Sequence, residues 1–297
     1  MPEGNSKRFG QIFFDSIDNR TEHFLKLLTS GFYFAVTFIL LHYLGHAWST
    51  SNAHNQGYAP FFSYAGIDSL LGTTGWTAKK IGIIYLMPPL VGLIAFTLGI
   101  LGISFAKTKQ LSFKTFMFWL SLNGLLMYVS YITTGLLSGL SFSSKYFTGF
   151  VGFYSWLFWK ELTIYGVLIL QLILCVPIIY YFGKLTMTLN YSSALLKRKN
   201  GKIIVWLNIL VIPFLIGVFI IAAATFPMDL GFQAVRIFTF IPISLLIVVA
   251  MHLQEAKHIA IVKGGMKGMS MTLWTVVIII LIFISRTFLS MSIGPLW

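Results

Sequence analysis

GIIYLMPPLVGLIAFTLGILGISFA (82–106) carries no charged side chain, and that run decides the fold. About 20 apolar residues in a helix cross a hydrocarbon core of about 30 Å, and this stretch meets that length. Comparable runs recur near 28–48, 115–137, 160–183, 203–226, 234–253 and 270–291, so seven spans are expected. Lipid offers no partner to a backbone amide, and barrel strands alternate and run to only about 10 residues. The spans are therefore helices, and the expected fold is an all-α polytopic bundle.

The rest of the composition agrees. Of 297 residues, 57% are hydrophobic and only 10% charged, with mean hydropathy +0.83. Soluble domains carry roughly 25% charged residues, so a water-soluble globule is excluded. Residues 1–27 mix Lys7, Arg8, Arg20 and Lys26 with Glu3, Asp15, Asp18 and Glu22, which is unlike a cleaved leader. They read as a cytoplasmic or interfacial lead-in, with Phe9, Ile12, Phe13 and Ile17 on one helical face. Residues 28–297 read as one membrane domain, since no linker, repeat or charge block divides them.

Basic residues of short loops orient such a bundle. With the N-terminus in the cytoplasm, Lys107, Lys109, Lys114, Lys184, the cluster KRKNGK (197–202), Lys257, Lys263 and Lys267 all fall inside. Lys79, Lys80, Lys145, Lys160, Arg236 and Arg286 fall outside, mostly at helix ends where they can snorkel to headgroups. The net charge of +13 thus reports topology and attraction to anionic lipid, not nucleic acid. The expected partners are membrane lipids and a protein partner within the membrane, and the expected location is the bacterial inner membrane. A lone Cys175 excludes a disulfide within the chain.

Pro88, Pro89, Pro177, Pro213 and Pro242 interrupt the spans, each freeing a carbonyl and permitting a kink. Gly92, Gly99, Gly102, Gly135 and Gly139 allow close helix approach. The segment 49–80, rich in Gly, Ser, Asn and aromatics, reads as a re-entrant or interfacial hairpin. Mid-membrane polar groups are few: Asn123, Tyr128, Gln171, Asn208 and, toward the outside, Arg286. Ion-coupled transport is accordingly disfavoured.

The most chemical feature is His42-Tyr43-Leu44-Gly45-His46 at the outer end of the first span. Histidines at i and i+4 share a helical face, so both rings can converge on one metal, and zinc is the metal such a pair would take. A third ligand is needed, and His54, Asp68, Glu161 and Asp229 are the candidates on that side. Against metal stands the plainer reading of two interfacial imidazoles satisfied by carbonyls and water. Haem would need histidines at one depth on two helices, and His252, His258 and His23 lie toward the other side.

LLHYLGHAWS (40–49) resembles the HELGHA form of the HExxH helix in site-2-protease-type intramembrane zinc metalloproteases. MPPLVGLIAFTLGILG (87–102) and FWLSLNGLLMYVSYITTG (118–135) are similar to the helices that follow in multi-spanning relatives. The resemblance implies zinc ligation by His42 and His46 and an aspartate from a later span. The glutamate that would activate the metal-bound water is here Tyr43, whose phenol, with a pKa near 10, is no base at neutral pH. No later span carries an interior aspartate.

Three functions follow as expectations: a non-catalytic, degenerate relative of these proteases that binds a partner helix, lipid or subunit; a membrane subunit or small-molecule permease with no metal site; or a metal or haem enzyme using His42 and His46. The first is the function expected of this chain.

Overall fold

The computed structural model describes residues 20–54, 59–63, 66–70, 78–106, 111–141, 149–157, 159–189, 196, 200–225 and 231–255. Among them the chain is a helical bundle: α1 (Arg20–His54), α2 (Ala78–Phe105), α3 (Leu111–Ser141), the short α4 (Gly149–Trp156), α5 (Glu161–Thr188), α6 (Gly201–Trp206), α7 (Ile212–Thr225) and α8 (Gly231–Leu253). Strands β1 (Ala59–Ser63) and β2 (Gly66–Leu70) form one antiparallel hairpin within the segment read as hairpin-like. Six stretches are long and apolar enough to cross a membrane: His23–His42, Tyr85–Phe105, Leu111–Leu137, Glu161–Thr188, Gly201–Ala223 and Ala234–Leu253. The seventh run, 270–291, and the lead-in 1–19 lie outside the described residues.

The fifth of these stretches joins α6 to α7 through a π-helical segment, Leu207–Val211. Pro213 has no amide hydrogen, so the carbonyl of Ile209 lacks its usual i+4 donor. The helix widens in response, and the amide of Ile212 bonds back five residues to the Leu207 carbonyl.

α3 forms the centre. Its partners reach it through small residues and buried polar groups, as expected where apolar side chains gain nothing by leaving lipid for one another. A Cβ on Gly92 of α2 would stand 2.8 Å from the Gly124 carbonyl oxygen, and one on Gly99 would stand 2.6 Å from that of Met117. On the other side, Trp119 donates to Ser30 Oγ at 2.8 Å and packs edge-on against Phe34 of α1. Phe34 also meets Phe214, which stacks on Phe240 at 3.8 Å, tying α7 and α8 to the same core.

Candidate functional site

α8 shows two faces. Arg236, Thr239, Phe240, Ile243, Ser244, Ile247, Ala250 and Met251 are buried, while Phe238, Ile241, Leu245, Leu246, Val249 and Leu253 are exposed toward lipid. The buried set follows the i, i+3/i+4 stripe of a helix with one packed face, and Arg236 heads it. The expectation of a snorkelling arginine is therefore corrected: Arg236 is 2% exposed and turned into the bundle.

Its guanidinium is held by backbone and by a ring. Nη1 donates to the carbonyl of Phe38 and Nη2 to that of Asn123, each at 3.2 Å. The Phe38 ring lies 3.9 Å from the guanidinium carbon, a cation–π contact. Buried Tyr131 is near enough to interact with the charge. Nε is enclosed and has no hydrogen-bond partner. Among the described residues no carboxylate pairs with Arg236. Arg236 is the third residue of the span Ala234–Leu253, and its guanidinium reaches inward to Asn123, near the middle of the 27-residue span Leu111–Leu137, and to Phe38, one turn before the end of His23–His42.

Asn123 is itself fully buried and rigidly set. Its Nδ2 donates to the Phe34 carbonyl at 3.0 Å and to Thr37 Oγ1 at 2.7 Å. A carbonyl can only accept, which fixes the amide with nitrogen toward α1. Thr37 sends its hydroxyl hydrogen to the Tyr33 carbonyl at 2.7 Å, so it accepts from Asn123. Both Nδ2 hydrogens are thereby used, and Oδ1 is left buried with no partner. All the α1 contacts of this centre fall within Tyr33–Phe38, little more than one helical turn.

His42 is the next turn of α1. It is 7% exposed, and helical geometry has its amide sharing the Phe38 carbonyl that Arg236 also binds. His46 lies one turn further on α1, and His54 ends that helix. Asp68 sits in β2 opposite Phe61, exposed Glu161 opens α5, and Asp229 lies outside the described residues. Side chains of Tyr43, His46, His54 and Asp68 also lie outside them. Among the described residues no three His, Cys, Asp or Glu side chains are grouped closely enough to hold a metal ion.

The remaining polar groups have local duties. His23 lies against Asn208 of the π-helical segment, while exposed His252 bonds its own helix at the Val248 carbonyl, 2.8 Å away. His258 lies outside the described residues, as does Arg286. Lys202 caps the end of α8 through the Gln254 carbonyl at 2.7 Å. Gln171 donates to the Tyr154 hydroxyl at 3.1 Å beneath a Tyr154–Trp159 stack at 4.8 Å. Burial pushes the Tyr154 phenol above its ordinary range, with the Gln171 bond pulling the other way. Cys175 lines an apolar cavity of about 450 Å³ between α3, α5 and α8, with Val129, Leu172, Phe238 and Ile243 among its walls.

The signal for Arg236 was present in the sequence as its place on the apolar stripe of α8. What was missing was the direction of that stripe, since in a membrane the more polar face is the packed one. No family model, no curated protein and no solved structure matches the chain.

Proposed function

We propose that this multi-pass membrane protein is a permease or permease subunit for a small anionic molecule, with Arg236 as its binding cation and no metal chemistry. The observation that carries this reading is Arg236 itself, a wholly buried guanidinium inside the helical bundle with an unpartnered Nε and no paired carboxylate among the described residues. An ion buried from solvent costs several kcal/mol even after the protein relaxes, and buried ionisable residues in membrane bundles mark functional sites by default. A guanidinium offers directed donors and no acceptor, which selects carboxylates and other oxyanions.

The same charge bears on the histidine pair. The Arg236 contact at Phe38 O lies four residues, about 6 Å of helical rise, from His42. Like charges repel in a poorly solvated interior, so a buried guanidinium bound on the neighbouring turn disfavours a divalent ion at His42. The degenerate-protease reading keeps one favourable observation: His42 is buried at the end of its span, as a retained ligand would be.

Flux of small carboxylates into proteoliposomes separates the two. The permease reading expects flux that is lost in Arg236→Gln, unaffected by chelators, and shown by protein without stoichiometric metal. Stoichiometric zinc, with folding that fails on its removal, and no anion flux would favour the protease relative instead.

A further inference from the structure

The Arg236 centre is half cation and half acceptor, and the second half narrows what it takes. Oδ1 of Asn123 is buried, unpartnered and fixed as an acceptor, because both hydrogens of Nδ2 are committed to Phe34 O and Thr37 Oγ1. Nε of Arg236 is buried, unpartnered and can only donate. The two residues are joined directly through Arg236 Nη2 and the Asn123 carbonyl. A halide or a simple carboxylate answers Nε and leaves Oδ1 without a donor.

We propose that the centre recognises an oxyanion that carries a hydroxyl, with the anionic oxygen on Arg236 Nε and the hydroxyl donating to Asn123 Oδ1. α-Hydroxy carboxylates and hydrogen carbonate share this chemistry. Asn123 is then the specificity-determining residue. Arg236 pins α1 and α3 to α8 through two main-chain carbonyls and both unpartnered atoms are enclosed, so binding requires these helices to part. The inference rests on the permease reading of Arg236, and its test keeps the two apart.

The probes are glycolate, acetate and chloride, titrated calorimetrically into the purified full chain, with hydrogen carbonate as a fourth. Glycolate and acetate differ by one hydroxyl. A buried acceptor left unsatisfied predicts glycolate binding about tenfold tighter than acetate, with hydrogen carbonate alongside glycolate and chloride weakest. In Asn123→Ala the ratio of glycolate to acetate affinity shrinks to about twofold or less, whatever the absolute affinities become, because the atom that reads the hydroxyl is gone. Equal affinity for glycolate and acetate on the unaltered protein overturns the hydroxyl reading and leaves the cation reading standing. So does Asn123→Ala that folds and keeps the full preference. Binding of none of the four anions, or binding unchanged in Arg236→Gln, overturns both, and the two unpartnered atoms are then bridged by an internal water. The comparison among anions needs no variant, so a misfolded Asn123→Ala does not spoil it.

Discussion

α3 and α5 are spans of the same bundle built on opposite principles. In the most apolar 18-residue stretch of the α3 span mean hydropathy is 1.3 and 78% of the stretch is buried, whereas in that of α5 mean hydropathy reaches 2.5 and only 22% is buried. The more apolar helix is the less packed one, the reverse of a soluble protein. α5 faces lipid with Leu162, Ile169, Leu170, Ile173 and Leu174, which are as well solvated there as they would be inside. α3 earns its central place with Ser121 and Asn123, which bond across helices, and Gly124, which brings backbones close, while its buried Ser130 and Thr134 bond to their own helix.

Substitutions on the two helices should therefore part company. The largest effect belongs to Gly124→Leu, since a Cβ there would stand 2.6 Å from the backbone nitrogen of Phe96. Backbone cannot yield as a side-chain tip can, and we expect a loss of about 3 kcal/mol in reversible unfolding in mixed micelles. Asn123→Ala comes next. It removes two interhelical bonds and should cost about 1.5 kcal/mol, near the upper end for hydrogen bonds between membrane helices. Ser30→Ala breaks only the Trp119 bond and should cost about 0.6 kcal/mol by the same measurement. On α5, a Cβ at Gly166 meets nothing within 4 Å, and Gly166→Leu should stay within about 0.5 kcal/mol of the parent. A Gly166 effect as large as that of Gly124 would mean that α5 is packed and α3 is not special.

That asymmetry also decides how far the sequence could be read. Chain-long apolar runs reveal spans directly, and each of the six among the described residues lies where its run predicts. The small-residue positions Gly92 and Gly99 are legible for the same reason, because only their lack of a side chain permits such contact. The facing of each helix is not legible from hydropathy, since lipid and core look alike to a leucine. Arg236 shows the consequence: counted with the loops it reads as a topology signal, while the stripe it heads buries it. Conversely the i, i+4 histidines are conspicuous in sequence because their chemistry is local. A metal site needs a third ligand from another element, and spacing along one helix carries no information about that. The fixed amide of Asn123 was unreadable for a related reason, because it depends on partners 86 and 89 residues away.

Arg236 is an inward, lipid-excluded cation, and its Nε–H is the atom that reports on that placement. Nitrogen-15 NMR of arginine-labelled protein in nanodiscs, with the resonance assigned by its loss in Arg236→Lys, reads that proton without disturbing the site. The account predicts slow exchange of the Nε–H with water and a clear shift when glycolate is added. Fast exchange, matching that of a headgroup-exposed arginine and indifferent to glycolate, would contradict it.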